Sequence, residues 1–227
     1  MKAEARVPLT DPVLSDLGIE HGFGQRDVLA PQETFFAKQV HGVRVVRVGK
    51  YAPGGEADAV LSTEPGTSVG IVTADCVPLL AATIDGSAVV AIHAGWRGLA
   101  AGVIEAGLEA LEAANPGVSI AVAVGPSARG CCYEVDAPVR DGLAARYEKL
   151  LGSVCEVGRS GRFQLDLPKL GAEVVRNFGV KKTQIGIAQC HCTICDARRF
   201  ESFRREGESA GRLKHFLTVS APKPRQG

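Results

Sequence analysis

Cys76 and His93 are the residues whose surroundings first suggest chemistry. The apolar run at residues 69–72 leads into Thr73-Ala74-Asp75-Cys76, and the run at 88–92 leads into His93-Ala94-Gly95-Trp96-Arg97-Gly98. A cysteine attacks a substrate or binds a metal only as the thiolate, which needs a cation, a helix N-terminus or a metal beside it. A histidine at a strand end supplies either the base for that thiol or a second ligand nitrogen. The pair fits both mechanisms, against the plainer alternative of a small buried cysteine and a satisfied core histidine. The neighbours favour a site. Asp75 could orient a ligand or act in proton transfer, Arg97 offers a planar fork for phosphate or carboxylate, and Gly95 and Gly98 let the backbone come close to a ligand.

Further candidates lie elsewhere in the chain. His41, just before Gly42, sits at a strand mouth much as His93 sits at a strand end. The segment 125–135 runs from Gly125-Pro126 through Arg129 to Cys131-Cys132-Tyr133, a Gly/Pro loop suited to substrate contacts. Adjacent cysteines on a strand point to opposite faces, so one of Cys131 and Cys132 is expected to face the site and the other to be buried. Cys190, Cys192 and Cys195, with His191 among them, look like a metal motif, but a closed zinc site takes four ligands, often as two pairs, and no second pair is evident. The segment 200–212, with Arg204 and Arg205, is basic enough to attract a phosphate-bearing ligand.

The positioning elements can be read from periodicity. The runs at 69–72, 88–92 and 118–124 read as buried strands; 43–48 alternates apolar and basic residues, as a strand with one wet face does; 57–61 and 185–188 are further short strands. The break Asp85-Gly86-Ser87 suggests a tight connection bringing Cys76 and His93 together. Residues 99–114 form an amphipathic helix stopped by Asn115-Pro116-Gly117. Asp136 and Asp166, each two residues before a proline, read as N-caps of helices that end near Leu151 and Phe178. Residues 21–26 look like an exposed loop and 51–58 like turn chemistry.

The whole chain sets broad bounds. Its 227 residues suit one good-sized domain, expected over 1–227 with a core of about 20–217 and a flexible tail at 218–227. A net charge of +1, from 26 basic and 25 acidic residues, argues against nucleic acid or an anionic membrane as partner and for small molecules. The seven cysteines are an odd number, no secretory signal precedes them, and no run approaches the ~20 apolar residues of a membrane span. A cytoplasmic protein with reduced thiols is expected; the oligomeric state is left open.

Four blocks, at 38–42, 73–78, 93–98 and 125–135, resemble in order and spacing the laccase-domain family, also called multicopper polyphenol oxidoreductases and now regarded as purine nucleoside phosphorylases. The resemblance runs from about residue 20 to 212. It implies an α/β fold, a single layered α/β/β/α domain with mixed sheets similar to the deamidase domain of cytotoxic necrotizing factor toxins. It also implies a zinc ion, with copper as the alternative metal, on His41, Cys76 and His93, with Cys76, His93, Asp75 and Arg97 catalytic and Arg129, Cys131 and Arg204 binding substrate. The implied activity is phosphorolysis of adenosine, inosine and methylthioadenosine, with adenosine deamination beside it and phosphate as co-substrate. The alternatives are a cysteine- or zinc-dependent amide hydrolase editing peptidoglycan precursors, a copper-dependent polyphenol oxidase and a non-enzymatic zinc-binding module. Five histidines (His21, His41, His93, His191, His215) are too few for a multicopper cluster, which ranks the oxidase last among the enzymes. Ala128-Arg129-Gly130 and the extra Cys190 and Cys195 depart from the family pattern.

Overall fold

The computed structural model describes residues 6–49, 55–187 and 189–221. In chain order its elements are α1 (Pro12–Ser15), β1 (His21–Gly22), β2 (Phe35–Phe36), β3 (Val45–Val48), β4 (Ala59–Ser62), β5 (Ser68–Thr73), β6 (Val77–Thr83), β7 (Val89–Ala94), α2 (Trp96–Ala101) and α3 (Val103–Ala114). They continue with β8 (Ile120–Val124), β9 (Glu134–Val135), α4 (Ala137–Val154), β10 (Cys155–Val157), β11 (Phe163–Leu165), α5 (Leu167–Phe178), β12 (Ile185–Gly186), α6 (Phe203–Glu206) and β13 (Leu213–Thr218).

Two mixed sheets carry the fold, one of six strands in the order β12-β8-β6-β7-β4-β3 and one of four in the order β1-β13-β5-β2. Alternation along the six-stranded sheet decides what lies on each side of it. Leu79 and Ala81 of β6, with Val90 and Ile92 of β7, pack on α3 and α5 through Ile104, Leu108, Leu170 and Val174. The intervening Leu80, Ala82, Val89 and Ala91 pack instead against Val69, Ile71 and Leu217 of the four-stranded sheet. A sheet covered on both faces reads as unbroken apolar sequence, and all of β6, β7 and β8 is buried. The layered, mixed-sheet α/β class expected from the sequence is the class observed.

Several local expectations need correction. The turn at Asp85-Gly86-Ser87 joins β6 to β7 as a hairpin, while β5 lies in the other sheet. The strand overlooked in between is 77–83, where an internal proline is tolerated because Pro78 needs only its carbonyl, which accepts Gly125 N–H at 2.9 Å. The helix expected over 99–114 is broken in two at Gly102, whose φ of 94° lies in the left-handed region that ends α2. Asp166 caps α5 through its side chain, accepting Lys169 N–H, whereas Asp136 precedes α4 without a side-chain cap bond. The stretch 21–25 is buried, not an exposed loop: His21 opens β1, and Phe23 is fully enclosed between the sheets. Of the tail expected to be flexible, Thr218 belongs to β13 and Val219 is buried, while 222–227 lies outside the described residues. The turn expected over 51–58 also lies partly outside them, at 51–54, as does Ala188 of the strand expected at 185–188. No helix among the described residues is long and apolar enough to cross a membrane.

His215 of β13 ties the two sheets to the site region. Its Nδ1 accepts Gly24 N–H at 3.2 Å, so the proton sits on Nε2 and is donated to Thr73 Oγ1 at 2.8 Å. Burial, and secondarily the charge of His93, hold its pKa down to about 3. The folded state therefore keeps this ring neutral, while the unfolded chain takes up a proton below about pH 6.5. Stability from this group is complete above that pH and falls by about 1.4 kcal/mol per unit as the pH drops towards 3. Urea unfolding at stepped pH checks this: His215→Asn should show a shallower acid dependence, and an unchanged slope would count against it.

Candidate active site

Cys76 lies where the chain changes sheets. After β5 the backbone passes through Asp75, at a φ of 87°, before β6 begins at Val77 in the six-stranded sheet. Val77 pairs with Ala94 and Pro78 with His93, which sets Cys76 beside Gly95, one residue outside the ladder. His41 reaches the same place from the 38–42 loop, also at a positive φ (60°). Non-glycine residues in this region cost energy and persist only where the surroundings impose them. Here they mark two of the residues nearest the chemistry.

The ligand atoms of His41, Cys76 and His93 lie within 4.8 Å of one another, and the two imidazoles meet edge to face with centroids 4.8 Å apart. Burial pushes the Cys76 thiol up, but hydrogen bonds from His41 and His93, and their charges, outweigh it and bring it down to about 7. Burial opposes protonation of His93, yet Asp58 and Cys76 raise its pKa. The group is thus poised to carry a thiolate. An ideal Cβ on Gly95 would stand 2.6 Å from His41 Nδ1 and 3.0 Å from Cys76 Sγ.

Asp58, which the sequence reading did not single out, organises this centre. Its fully buried carboxylate accepts His93 Nδ1–H at 2.8 Å and His41 N–H at 2.9 Å on Oδ1, and Val40 N–H at 3.2 Å and Gly42 N–H at 2.7 Å on Oδ2. The first contact fixes His93 with its Nε2 towards the centre; the other three shape the His41 loop. Gln39 docks that loop on β5, its amide exchanging two 2.7 Å bonds with the backbone of Val72. Asp58 precedes a strand with no motif around it, whereas Gln39 lies within the 38–42 block, where His41 alone drew a role.

Asp75 ties separate segments of the site together. Its carboxylate accepts Thr193 Oγ1–H at 2.6 Å, Ser202 Oγ–H at 3.0 Å and Arg204 N–H at 2.7 Å, which ties the β5–β6 junction to the 193–204 segment. The remaining predicted residues divide. Arg97 and Arg204 line the same cavity as Cys76, a space of about 740 Å³, as do Lys38 and Arg212. Arg97 lies over the Trp96 ring at 4.4 Å and, among the described residues, has no carboxylate partner. Arg204 lies over Tyr133 at 4.8 Å. Trp96, Tyr133 and Phe203 give the cavity aromatic walls. Burial and the nearby Cys76 thiolate push Tyr133 up to about 12, leaving its hydroxyl a neutral donor.

Arg129 and Cys131 do not line this cavity. Arg129 clasps Asp166 Oδ2 through Nε and Nη2 and gives Nη1 to the Cys190 carbonyl. Cys131 and Cys132 lie in a turn rather than on a strand, and both face Cys192 and Cys195. The second pair missing from the sequence reading of the C-terminal cysteines is therefore present, supplied by the fold.

A sequence profile described as multi-copper polyphenol oxidoreductase laccase matches residues 23–220. A purine nucleoside phosphorylase of Pseudomonas aeruginosa is 37% identical over 171 residues, covering 75% of this chain and 68% of that protein. One from Escherichia coli is 33% identical over 188 residues, 82% of this chain and 74% of the relative. Among solved structures, Neisseria meningitidis protein NMB0706 superposes with a TM-score of 0.74 at 29% identity, covering 83% of this chain and 75% of that one. YlmD of Geobacillus stearothermophilus does so at 0.75 and 26% identity, covering 84% and 74%.

Proposed function

The chain belongs to the multi-copper polyphenol oxidoreductase laccase family, and from that membership we propose that it is a purine nucleoside phosphorylase acting on adenosine, inosine and methylthioadenosine, with adenosine deamination as a second activity. One observation carries this reading: a single cavity joins the His41, Cys76 and His93 group to exposed cations and aromatic walls. Its volume is in the range of small-molecule sites.

In phosphorolysis a phosphate oxygen attacks ribose C1′ while the C1′–N9 bond breaks and the base departs with a proton. The chain supplies what those events require. Arg97, with Arg204 and Arg212, offers guanidinium donors for the phosphate. Trp96, Tyr133 and Phe203 offer faces for the purine, and the neutral Tyr133 hydroxyl can donate to an oxygen of either substrate. In deamination, water takes the place of phosphate as nucleophile and attacks C6 of the purine, and the C6–N6 bond breaks as ammonia leaves with the proton that water gives up.

We assign zinc to His41, Cys76 and His93. Two imidazoles and one thiolate suit that borderline-soft ion, Gly95 leaves the space between them, and Asp58 fixes the His93 ring from behind, as outer-shell carboxylates do in metal sites. When bound, the ion supplies Lewis acidity to the site. Copper phenol oxidation asks for more imidazoles than His41 and His93. His21 is committed to Asp11 N and Ile19 O, His215 to Gly24 and Thr73, and His191 stacks on Phe200.

The test is product analysis of adenosine with and without phosphate. Adenine should form only with phosphate and inosine in its absence. Arg97→Met should raise the phosphate KM by about tenfold or more, the worth of a lost charge-assisted contact; an unchanged phosphate KM would remove Arg97 from the anion site. A second reading, amide hydrolysis, is favoured by the buried alignment of Cys76, His93 and Asp58. It predicts turnover that iodoacetamide stops and phosphate does not affect.

A further inference from the structure

Cys131, Cys132, Cys192 and Cys195 gather four thiols from segments about sixty positions apart. The Cys195 sulfur lies 3.4 Å from that of Cys131 and 3.0 Å from that of Cys132, and all four sulfurs are within 4.8 Å of one another. Four sulfurs about 2.3 Å from a zinc ion form a tetrahedron with edges of about 3.8 Å, in the middle of that range. None of the four sulfurs lies in the apolar core, so burial does not explain the grouping.

We propose that these four cysteines form a second, closed metal site holding a structural zinc ion, separate from the one at Cys76. With four protein thiolates no position stays open for substrate, so its role is mechanical. It would clamp the turn before β9 to the 192–195 turn, alongside the bridge between Ser127 and Cys192. Both turns build the cavity: Tyr133 follows Cys132 directly, and Thr193, between Cys192 and Cys195, holds Asp75.

Zinc per chain, measured on protein purified under reducing conditions, tests the assignment without reference to activity. About two ions per chain are expected in the wild type and about one in either Cys76→Ala or Cys195→Ser, while Cys195→His, which keeps a ligand, should retain the second. Should Cys195→Ser fail to fold, two further measurements decide. Cobalt(II) bound by Cys76→Ala should show the near-ultraviolet thiolate charge transfer of a tetrahedral tetrathiolate. In the folded wild type, iodoacetamide should label the exposed Cys131 and Cys195 at least tenfold more slowly with zinc than after chelation. The proposal is overturned if the only zinc disappears in Cys76→Ala, if labelling is indifferent to zinc, if iron occupies the four thiols, or if a Cys132–Cys195 disulfide is found in the native protein.

Discussion

Gly95→Ala is expected to silence the enzyme almost as fully as Cys76→Ala while leaving the chain folded. Gly95 has a φ of −72° and a ψ of 163°, a conformation alanine adopts without strain, so the backbone provides no reason for the variant to misfold. The damage comes from the added methyl, which would lie 2.6 Å from His41 Nδ1 and 3.0 Å from Cys76 Sγ. Neither neighbour retreats easily. The Cys76 backbone is held between Asp75 and the β6 ladder, and the His41 backbone is fixed by the buried carboxylate of Asp58. One of the two groups must therefore leave the centre, and a displacement of about 1 Å at reacting groups costs about a hundredfold in rate. The expected result is a fall in kcat/KM for adenosine of at least that size, with loss of bound zinc and an unchanged circular dichroism spectrum. Wild-type kinetics in this variant would show that His41, Cys76 and His93 do not act together.

Much of this centre was legible in the sequence because the chemistry sits at the ends of strongly apolar strands. The runs before Cys76 and His93 announced themselves, and Gly95 stood out beside a tryptophan and an arginine. The sequence did not show how the two strand ends meet. Each belongs to a different sheet, and the strand between them, 77–83, carries a proline that masks its continuity. Asp58 was hidden for a related reason: its four partners come from 40–42 and from His93, and only the pairing of β4 with β7 places them around one carboxylate. Arg129 does not line the cavity, because Asp166, at a helix start 37 positions later, holds its guanidinium, a contact no local pattern announces. The thiol group escaped notice for the same reason: alternation assigned Cys131 and Cys132 to opposite faces, whereas a turn lets both converge on a pair sixty residues away.

The Asp58 carboxylate invites the most conservative of substitutions, and the geometry predicts that even this one fails. Each oxygen accepts two N–H groups: Oδ1 from His93 and His41, Oδ2 from Val40 and Gly42. Asparagine keeps the shape but must turn its NH₂ towards one of these donor pairs, so at least two donors lose their acceptor and face another donor. With Asp58 fully buried, no water can take over. Each donor left unsatisfied costs about 1–3 kcal/mol, so with two such donors Asp58→Asn should lower stability by about 2–6 kcal/mol. It should also weaken zinc binding and kcat/KM by about 10–100-fold, the usual effect of removing the outer partner of a ligating histidine. The two effects separate experimentally, because a saturating metal concentration restores occupancy but not the shape of the His41 loop. If full activity returned at high zinc, Asp58 would serve the metal alone; activity that stays low with the site full would show that the same carboxylate also sets the position of His41.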